Sequence, residues 1–417
     1  MHVTFNTLPI EQRVVMGRFT PDTTVFENQD VLRDAYVPNT LLERESEADQ
    51  FLVNYKSILS NKTASNVFVY GQTGVGKTMS TKLLMDELAE DVAEADGISL
   101  NVIWENCHDN TSYQTAISLV NQFRDTDEKI RGTGYPKARV HSMLWDEVRA
   151  DDATHVLFVL DEVDGMVSNG ETGLLYQIAR ANSQQSLGNT SVSMIGISNN
   201  FRFREQLEPK TRNSMCEREI HFAPYNADQL RSIVTQRSEK AFYDNTIDDG
   251  VINLIAAKAA SDTGSARQAI DILHHSGMLA REEGEDTVSV DIAERAVDRA
   301  QRGRIMDELR SLPKQSHHVL RALLNLQAMS EMPARTKRIY QEYEGVAKSD
   351  NSDVKSQRTI HNRLSDLSLS GFLNFKQVNK GERGGVYNTY DLEMDPQIIA
   401  DVLDEVYGIR SEQTELI

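Results

Sequence analysis

Short apolar runs alternate with amphipathic helical stretches through the first half of the chain. "NVFVY" (Asn66–Tyr70), "NVIWEN" (Asn101–Asn106), "HVLFVL" (His155–Leu160) and "SVSMIGI" (Ser191–Ile197) each have the length and composition of a buried strand. Helical patterns separate them, the first running from Lys77 to Ala95. This alternation predicts a parallel sheet covered by helices on both faces. From Asn226 to about Ala300 the pattern changes, with Ile, Leu and Ala at three- and four-residue spacing and no strand-like run. That part is expected to be all helical. Residues 1 to about 40 show no regular pattern, and a charged connector, "RAQRGRIMDELRSLPKQ", precedes the last domain.

Composition narrows the setting. The 417 residues suffice for two or three domains, each with its own core. No run of ~18 apolar residues exists, so no membrane partner is expected, and the first residues lack the layout of a secretion signal. The two cysteines, Cys107 and Cys216, have no CxxC partner, which fits a reducing cytoplasm. Asp plus Glu number 63 against 29 Arg and 15 Lys, a net charge of -19. Acidic excess with scarce Lys suits a molar-salt cytoplasm, so a halophilic source is expected. The charge is uneven: Arg302 to Asp391 holds 15 Lys plus Arg and 10 Asp plus Glu, a net +5, leaving -24 for the rest. A cationic segment on an anionic chain points to a polyanionic partner.

The clearest chemistry lies after the first apolar run. "GQTGVGKT", Gly71 to Thr78, fits GxxxxGK[ST] between a strand and a helix. Gly71, Gly74 and Gly76 let backbone N–H groups face a phosphate, Lys77 supplies a charge to the terminal phosphates, and Thr78 offers a hydroxyl to Mg2+. "HVLFVL" runs into "DEVD", which places Asp161 to hold the metal and Glu162 to polarise an attacking water. Asn199, in "GISNN", ends another strand where it can orient that water or touch the γ-phosphate.

In this order the motifs resemble AAA+ ATPases, and more closely the archaeal origin-recognition and cell-division-control initiators. The stretches "YVPNTLLERE", "GQTGVGKT", "ENC", "LFVLDEVD", "LLYQIAR", "IGISNN", "HFAPYNADQL" and "GSARQAIDILHHSGMLA" carry the likeness over residues 30–300. The resemblance implies that Tyr36, Val37 and Pro38 line an adenine pocket, that Tyr225 packs near the base, and that Val75 and Met79 also belong to the nucleotide site. It makes Asn199 the sensor-one residue, and Arg267 the sensor-two arginine that reaches from the lid to the γ-phosphate. Two departures stand out. The position of a trans-acting arginine holds Lys210, which cannot make a planar bidentate contact, while Arg212 lies two residues on. His108 occupies a position often basic in the family and is read as a loop histidine.

Beyond Leu312 the pattern is helix (Leu312–Leu326), helix (Ala334–Glu344), helix (Ser356–Ser370) and hairpin, the order of a winged helix. In the third helix Ile360, Leu364 and Leu367 share one face. Arg358, Asn362 and Ser365 project from the other, with His361 to one side, as base-reading side chains do in a major groove. The hairpin "NKGERGGVYNTY", with Lys376 before it, Lys380, Arg383 and a Gly384-Gly385 tip, falls where a wing belongs, and Arg383 suits a narrow minor groove. The segment "DEKIRGTGYPKARVH", with Lys129, Arg131, Lys137 and Arg139, sits where family members carry a DNA-touching insertion.

The expected architecture is an α/β P-loop AAA+ domain with a parallel sheet, an all-α lid and a C-terminal winged helix. The expected boundaries are 1–40 for an N-terminal segment, 41–225 for the nucleotide domain and 226–300 for the lid. The connector is 301–311 and the DNA-binding domain 312–405. The resemblance implies a nucleoid-associated, Mg2+-dependent weak ATPase that uses ATP/ADP as a switch, binds double-stranded origin DNA and recruits the replicative helicase. Homologous initiator subunits are possible partners. Alternatives are a winged-helix transcriptional regulator with an ATP switch, or a remodelling ATPase whose tail binds protein.

Overall fold

Four of the apolar runs become neighbouring strands, and a fifth strand joins them that the pattern did not announce. The computed structural model describes residues 25–407 apart from 109, 168–171, 186, 201 and 380–385. The strands are β1 (Val67–Gly71), β2 (Leu100–Asn106), β3 (His155–Asp161), β4 (Ser191–Ser198) and β5 (Arg218–Phe222), all parallel in the order β2-β3-β4-β1-β5. All seven residues of β3 are buried, as a strand covered on both faces requires. In contrast β5, "REIHF", alternates between exposed and buried residues at the sheet edge, so its sequence lacks an apolar run.

The helices of this layer are α1 (Glu45–Tyr55), α2 (Lys77–Ala93), α3 (Ser112–Gln122), α4 (Lys137–Ala150), α5 (Val163–Val167) and α6 (Gly173–Ala179). Three short ones follow: α7 (Ala181–Gln184), α8 (Phe203–Gln206) and α9 (Pro209–Met215). One core, including Phe68, Val120, Leu144, Phe158, Leu174 and Phe203, lies between sheet and helices. Four helices follow, α10 (Ala227–Ala241), α11 (Val251–Asp262), α12 (Ala266–Glu283) and α13 (Val290–Ser311). Asn226 caps α10 with a reciprocal Asn226–Gln229 capping box, and Ser265 caps α12. The irregular stretch after residue 24 is not loose against these helices. The Phe26 ring packs at a tilt against Phe242 with centroids 4.8 Å apart, and Val25, Phe26, Val31 and Leu32 are buried.

The chain divides into two compact units between Val297 and Asp298, inside α13. The stretch 301–311 is therefore the end of a helix that begins at Val290 rather than a separate connector. The second unit contains α14 (Lys314–Ala328), β6 (Ala334–Arg335), α15 (Thr336–Ser349), α16 (Gln357–Leu369), β7 (Leu373–Asn379), β8 (Val386–Leu392) and α17 (Pro396–Tyr407). Its three antiparallel strands run in the order β6-β8-β7, which is a winged-helix arrangement. Leu320, Leu323, Ile339, Tyr343, Ile360, Leu364 and Leu367 form the centre of its core. Ser356 accepts the Thr359 N–H to cap α16, and Gly371 follows the helix with φ 77°. No described helix is long and apolar enough to cross a membrane.

Candidate nucleotide-binding site and nucleic-acid interface

The loop between β1 and α2 turns back because Gly74 and Gly76 adopt φ of 78° and 90°. Gly74 also has no room for a side chain: a Cβ there would lie 2.0 Å from the Ser265 hydroxyl oxygen at the start of α12. This close approach lets the Ala266 N–H donate to the Gly74 carbonyl at 3.0 Å and brings the "GSAR" turn onto the loop. Arg267 is thereby placed beside the loop, and its Nε lies 3.4 Å from Asp34 Oδ1. Val75 is fully buried, and the Tyr225 hydroxyl and Met79 both lie close to Gly76.

Lys77 reaches back across the loop. Its Nζ donates to the carbonyls of Gly71 and Gln72 at 2.9 and 2.7 Å, and to Asn199 Oδ1 at 2.7 Å. Burial pulls this ammonium down to about 8, against the opposing pull of Asp161, Asp164 and Glu162. Register explains the meeting with Asn199. Tyr70 lies opposite Ser198 in the β1–β4 pair, so the strand ends finish level. On the other side, β3 delivers Asp161, which is buried, has the Thr78 side chain near it and accepts the Glu162 N–H at 3.0 Å. Burial pushes the Asp161 carboxyl above its ordinary range, and the Thr78 hydroxyl opposes this. A carboxylate and a nearby hydroxyl offer two hard oxygen donors, the type Mg2+ takes alongside phosphate oxygens.

Glu162 departs from the strand with φ 52°, a left-handed conformation that a non-glycine residue adopts at a cost. Its carboxylate is held from two sides: Asn199 Nδ2 donates to Oε1 at 3.4 Å, and His108 Nδ1 lies 2.5 Å from Oε2. His108 is thus not a bystander in its loop, contrary to the sequence reading. Gly165 explains the fit, since a Cβ there would sit 2.4 Å from the His108 carbonyl oxygen and force the turn away. The only signal in the sequence was its place in "ENCHDN".

A second residue escaped the sequence reading. Arg44 is 3% exposed, and its Nε and Nη2 donate to the Val75 carbonyl at 3.2 and 3.0 Å. Nη2 also donates to the Ala223 carbonyl at 2.7 Å, Nη1 to Glu47 at 2.8 Å, and the guanidinium stacks 3.7 Å over Tyr225. One side chain therefore fixes both the phosphate loop and the tyrosine beside it. Tyr36, half-buried, is stacked by Arg237 at 4.4 Å; Val37 is 40% exposed and Pro38 buried. Lys210 on α9 is committed to Glu208 at 2.9 Å and lies over the Tyr176 ring, whereas Arg212 is half-buried two residues along.

In the second unit Ile360, Leu364 and Leu367 are buried, while Arg358, His361 and Asn362 are exposed along α16. Ser365 is half-buried and its hydroxyl donates back to the His361 carbonyl at 3.1 Å. Lys376 is exposed on β7. Lys380, Arg383 and the Gly384-Gly385 tip lie outside the described residues. Lys129, Arg131, Lys137 and Arg139 are exposed around the start of α4.

Comparison with known proteins matches these parts in chain order. An AAA domain matches residues 60–204, a Cdc6 AAA+ ATPase-type lid domain 231–301, and a CDC6 C-terminal winged helix domain 307–402. ORC1-type DNA replication protein 1 of Haloarcula marismortui is 41% identical over 403 residues, covering 93% of this chain and 94% of that protein. The ORC1-type DNA replication protein of Pyrococcus furiosus is 35% identical over 403 residues, covering 94% and 95%. Among solved structures, the Aeropyrum pernix ORC1 protein in complex with DNA is similar with a TM-score of 0.79 at 30% identity, covering 92% of this chain and 97% of that one. By this likeness along nearly its whole length, the chain belongs to the ORC1-type family of DNA replication proteins, built on an AAA+ ATPase domain, a Cdc6 lid and a winged helix.

Proposed function

We propose that this protein is a replication initiator that grips double-stranded origin DNA, uses bound ATP as a conformational switch, and helps recruit the replicative helicase. The observation that carries the reading is the convergence of Lys77, Asp161, Glu162 and Asn199 through hydrogen bonds, with Thr78 beside Asp161, at the ends of β1, β3 and β4. Lys77 and the loop N–H groups hold the phosphates, and Tyr36, Val37, Pro38, Val75, Met79 and Tyr225 border the base and ribose side. Thr78 and Asp161 would hold Mg2+, which when bound neutralises phosphate charge. Glu162 accepts a proton from the attacking water, and Asn199 orients it. Arg267 reports nucleotide state to the lid because its backbone is tied to Gly74.

Hydrolysis is slow in a lone subunit. Lys210 is engaged within its own chain by Glu208 and Tyr176, and lacks the planar fork of an arginine finger. Such a finger contributes ~10³-fold or more in related phosphoryl transfer. Arg358, His361, Asn362 and Ser365 read base edges, and Lys376, Lys380 and Arg383 contact the backbone and minor groove. Immunoprecipitation of the bound DNA, compared with mapped replication start sites, tests the reading. Enrichment at start sites, lost in Lys77→Ala, is expected. Enrichment confined to promoters would assign the protein to transcription instead.

A further inference from the structure

The outer face of the three-stranded sheet carries a cationic group that no reading of the recognition helix requires. Register fixes which side chains share that face. Leu373 pairs with Leu392 and Phe375 with Tyr390, and Leu373 and Tyr390 are buried in the core. Side chains alternate along a strand, so the intervening positions point the other way. Thr389 lies opposite both Lys376 on β7 and Arg335 on β6, giving a row Arg335–Thr389–Lys376 across three strands. With strands ~4.8 Å apart, the two cations flank the hydroxyl within ~10 Å, close enough for their side chains to converge on one phosphate. Tyr387, two residues along β8, lies on the same face, and the Arg335 guanidinium stacks on its ring at 3.6 Å from the centroid.

Arg335 differs from its neighbours in what it does not touch. Arg338, three residues on, is committed to Glu331 and Glu342. Among the described residues neither Arg335 nor Lys376 has a carboxylate partner, and both are exposed. Among the described strand residues, the acid on this face, Asp391, accepts the Leu392 N–H at 3.0 Å. A guanidinium laid flat on an aromatic ring keeps its N–H edge free in a fixed plane. That arrangement suits two parallel hydrogen bonds to a phosphate and lowers the ordering cost of forming them.

We infer that Arg335, pre-oriented by Tyr387 and flanked by Lys376 and Thr389, is a sequence-independent contact to a backbone phosphate of duplex DNA. The inference rests on the proposed DNA-binding reading and adds a face to it. The test uses the full chain and a fluorescein-labelled, mixed-sequence duplex, with dissociation constants measured across KCl concentrations. Arg335→Ala weakens binding about tenfold at low salt, the size expected for a charge-assisted hydrogen bond. It also flattens the slope of log K against log salt by about 0.9, the loss of one phosphate contact. Arg335→Lys keeps most of the slope but not the affinity. Tyr387→Phe binds as the parent does because the stack survives, whereas Tyr387→Leu weakens binding about threefold. Unchanged affinity and slope in Arg335→Ala and Tyr387→Leu, with sequence preference lost in Asn362→Ala, would overturn the inference and leave the DNA-binding reading standing. No retention of any duplex by the parent chain would overturn both.

Discussion

Replacing Arg44 by Met puts the strongest demand on the site geometry. The guanidinium makes four hydrogen bonds, to Glu47, Ala223 and twice to Val75, and lies on Tyr225. At 2.8 Å the Arg44–Glu47 attraction is about 6 kcal/mol gross at an effective dielectric of ~20, most of it offset by removing both ions from water. The loss on substitution is therefore set by what is orphaned. Glu47 becomes a mostly buried carboxylate without its cation, and the Val75 and Ala223 carbonyls lose their donor. Removing one partner of a buried pair costs about 3–5 kcal/mol. Denaturant unfolding of the full chain should show the first unit's stability lowered by that amount, seen as an earlier midpoint at constant slope. ATP affinity falls with it, because Val75 lies in the phosphate loop. Arg44→Lys should rescue little, since one ammonium lacks the planar fork that reaches Glu47 and two carbonyls while lying on the Tyr225 ring. Molar KCl should not restore the loss, as screening acts on exposed charges. A destabilisation under ~1 kcal/mol with unchanged ATP affinity would refute the argument.

Three further outcomes follow from the same geometry. His108→Ala frees one carboxylate oxygen of Glu162 from its contact with the imidazole and should raise basal hydrolysis up to tenfold at unchanged ATP affinity; slower turnover would contradict this. Leu364→Ala, at a fully buried position of the second unit, should cost that unit 2–5 kcal/mol and weaken DNA retention while leaving nucleotide binding intact, as separate melting and ATP titration can show. His318 is buried against Asp350 at 2.9 Å, and burial, helped by Lys314 and His317, holds its pKa below the ordinary value while Asp350 opposes. The folded state then binds fewer protons than the unfolded one below the ordinary histidine pKa, so the second unit should lose stability as pH falls from about 7 to 5. His318→Gln should flatten that profile. Asp350, held down at about 2 first by Lys314, contributes with the same sign but only in stronger acid, where its stabilisation is lost as pH falls from about 4 towards 2.

What the sequence determined by itself is whatever local spacing encodes. "GQTGVGKT" between an apolar run and a helical one requires a phosphate loop. "HVLFVLDE" puts two acids at a strand end. Ile360, Leu364 and Leu367 fix which face of α16 is buried, and hence that Arg358 and Asn362 are presented outward. Periodicity reports burial within one element, and these features each lie within one element. Tertiary structure decided the rest, because those contacts join segments remote along the chain. The edge strand β5 has no apolar run, and its place is set by pairing with β1. Arg44 meets the carbonyls of Val75 and Ala223, 31 and 179 residues away, and nothing in "LLERE" reveals the meeting. His108 reaches Glu162 because β2 and β3 end level, with Asn106 opposite Asp161. Arg335 finds Tyr387 only once β6 and β8 are in register. Strand register and the crossing of loops over the sheet are properties of the folded chain, and they choose the partners of every charge that the sequence supplies.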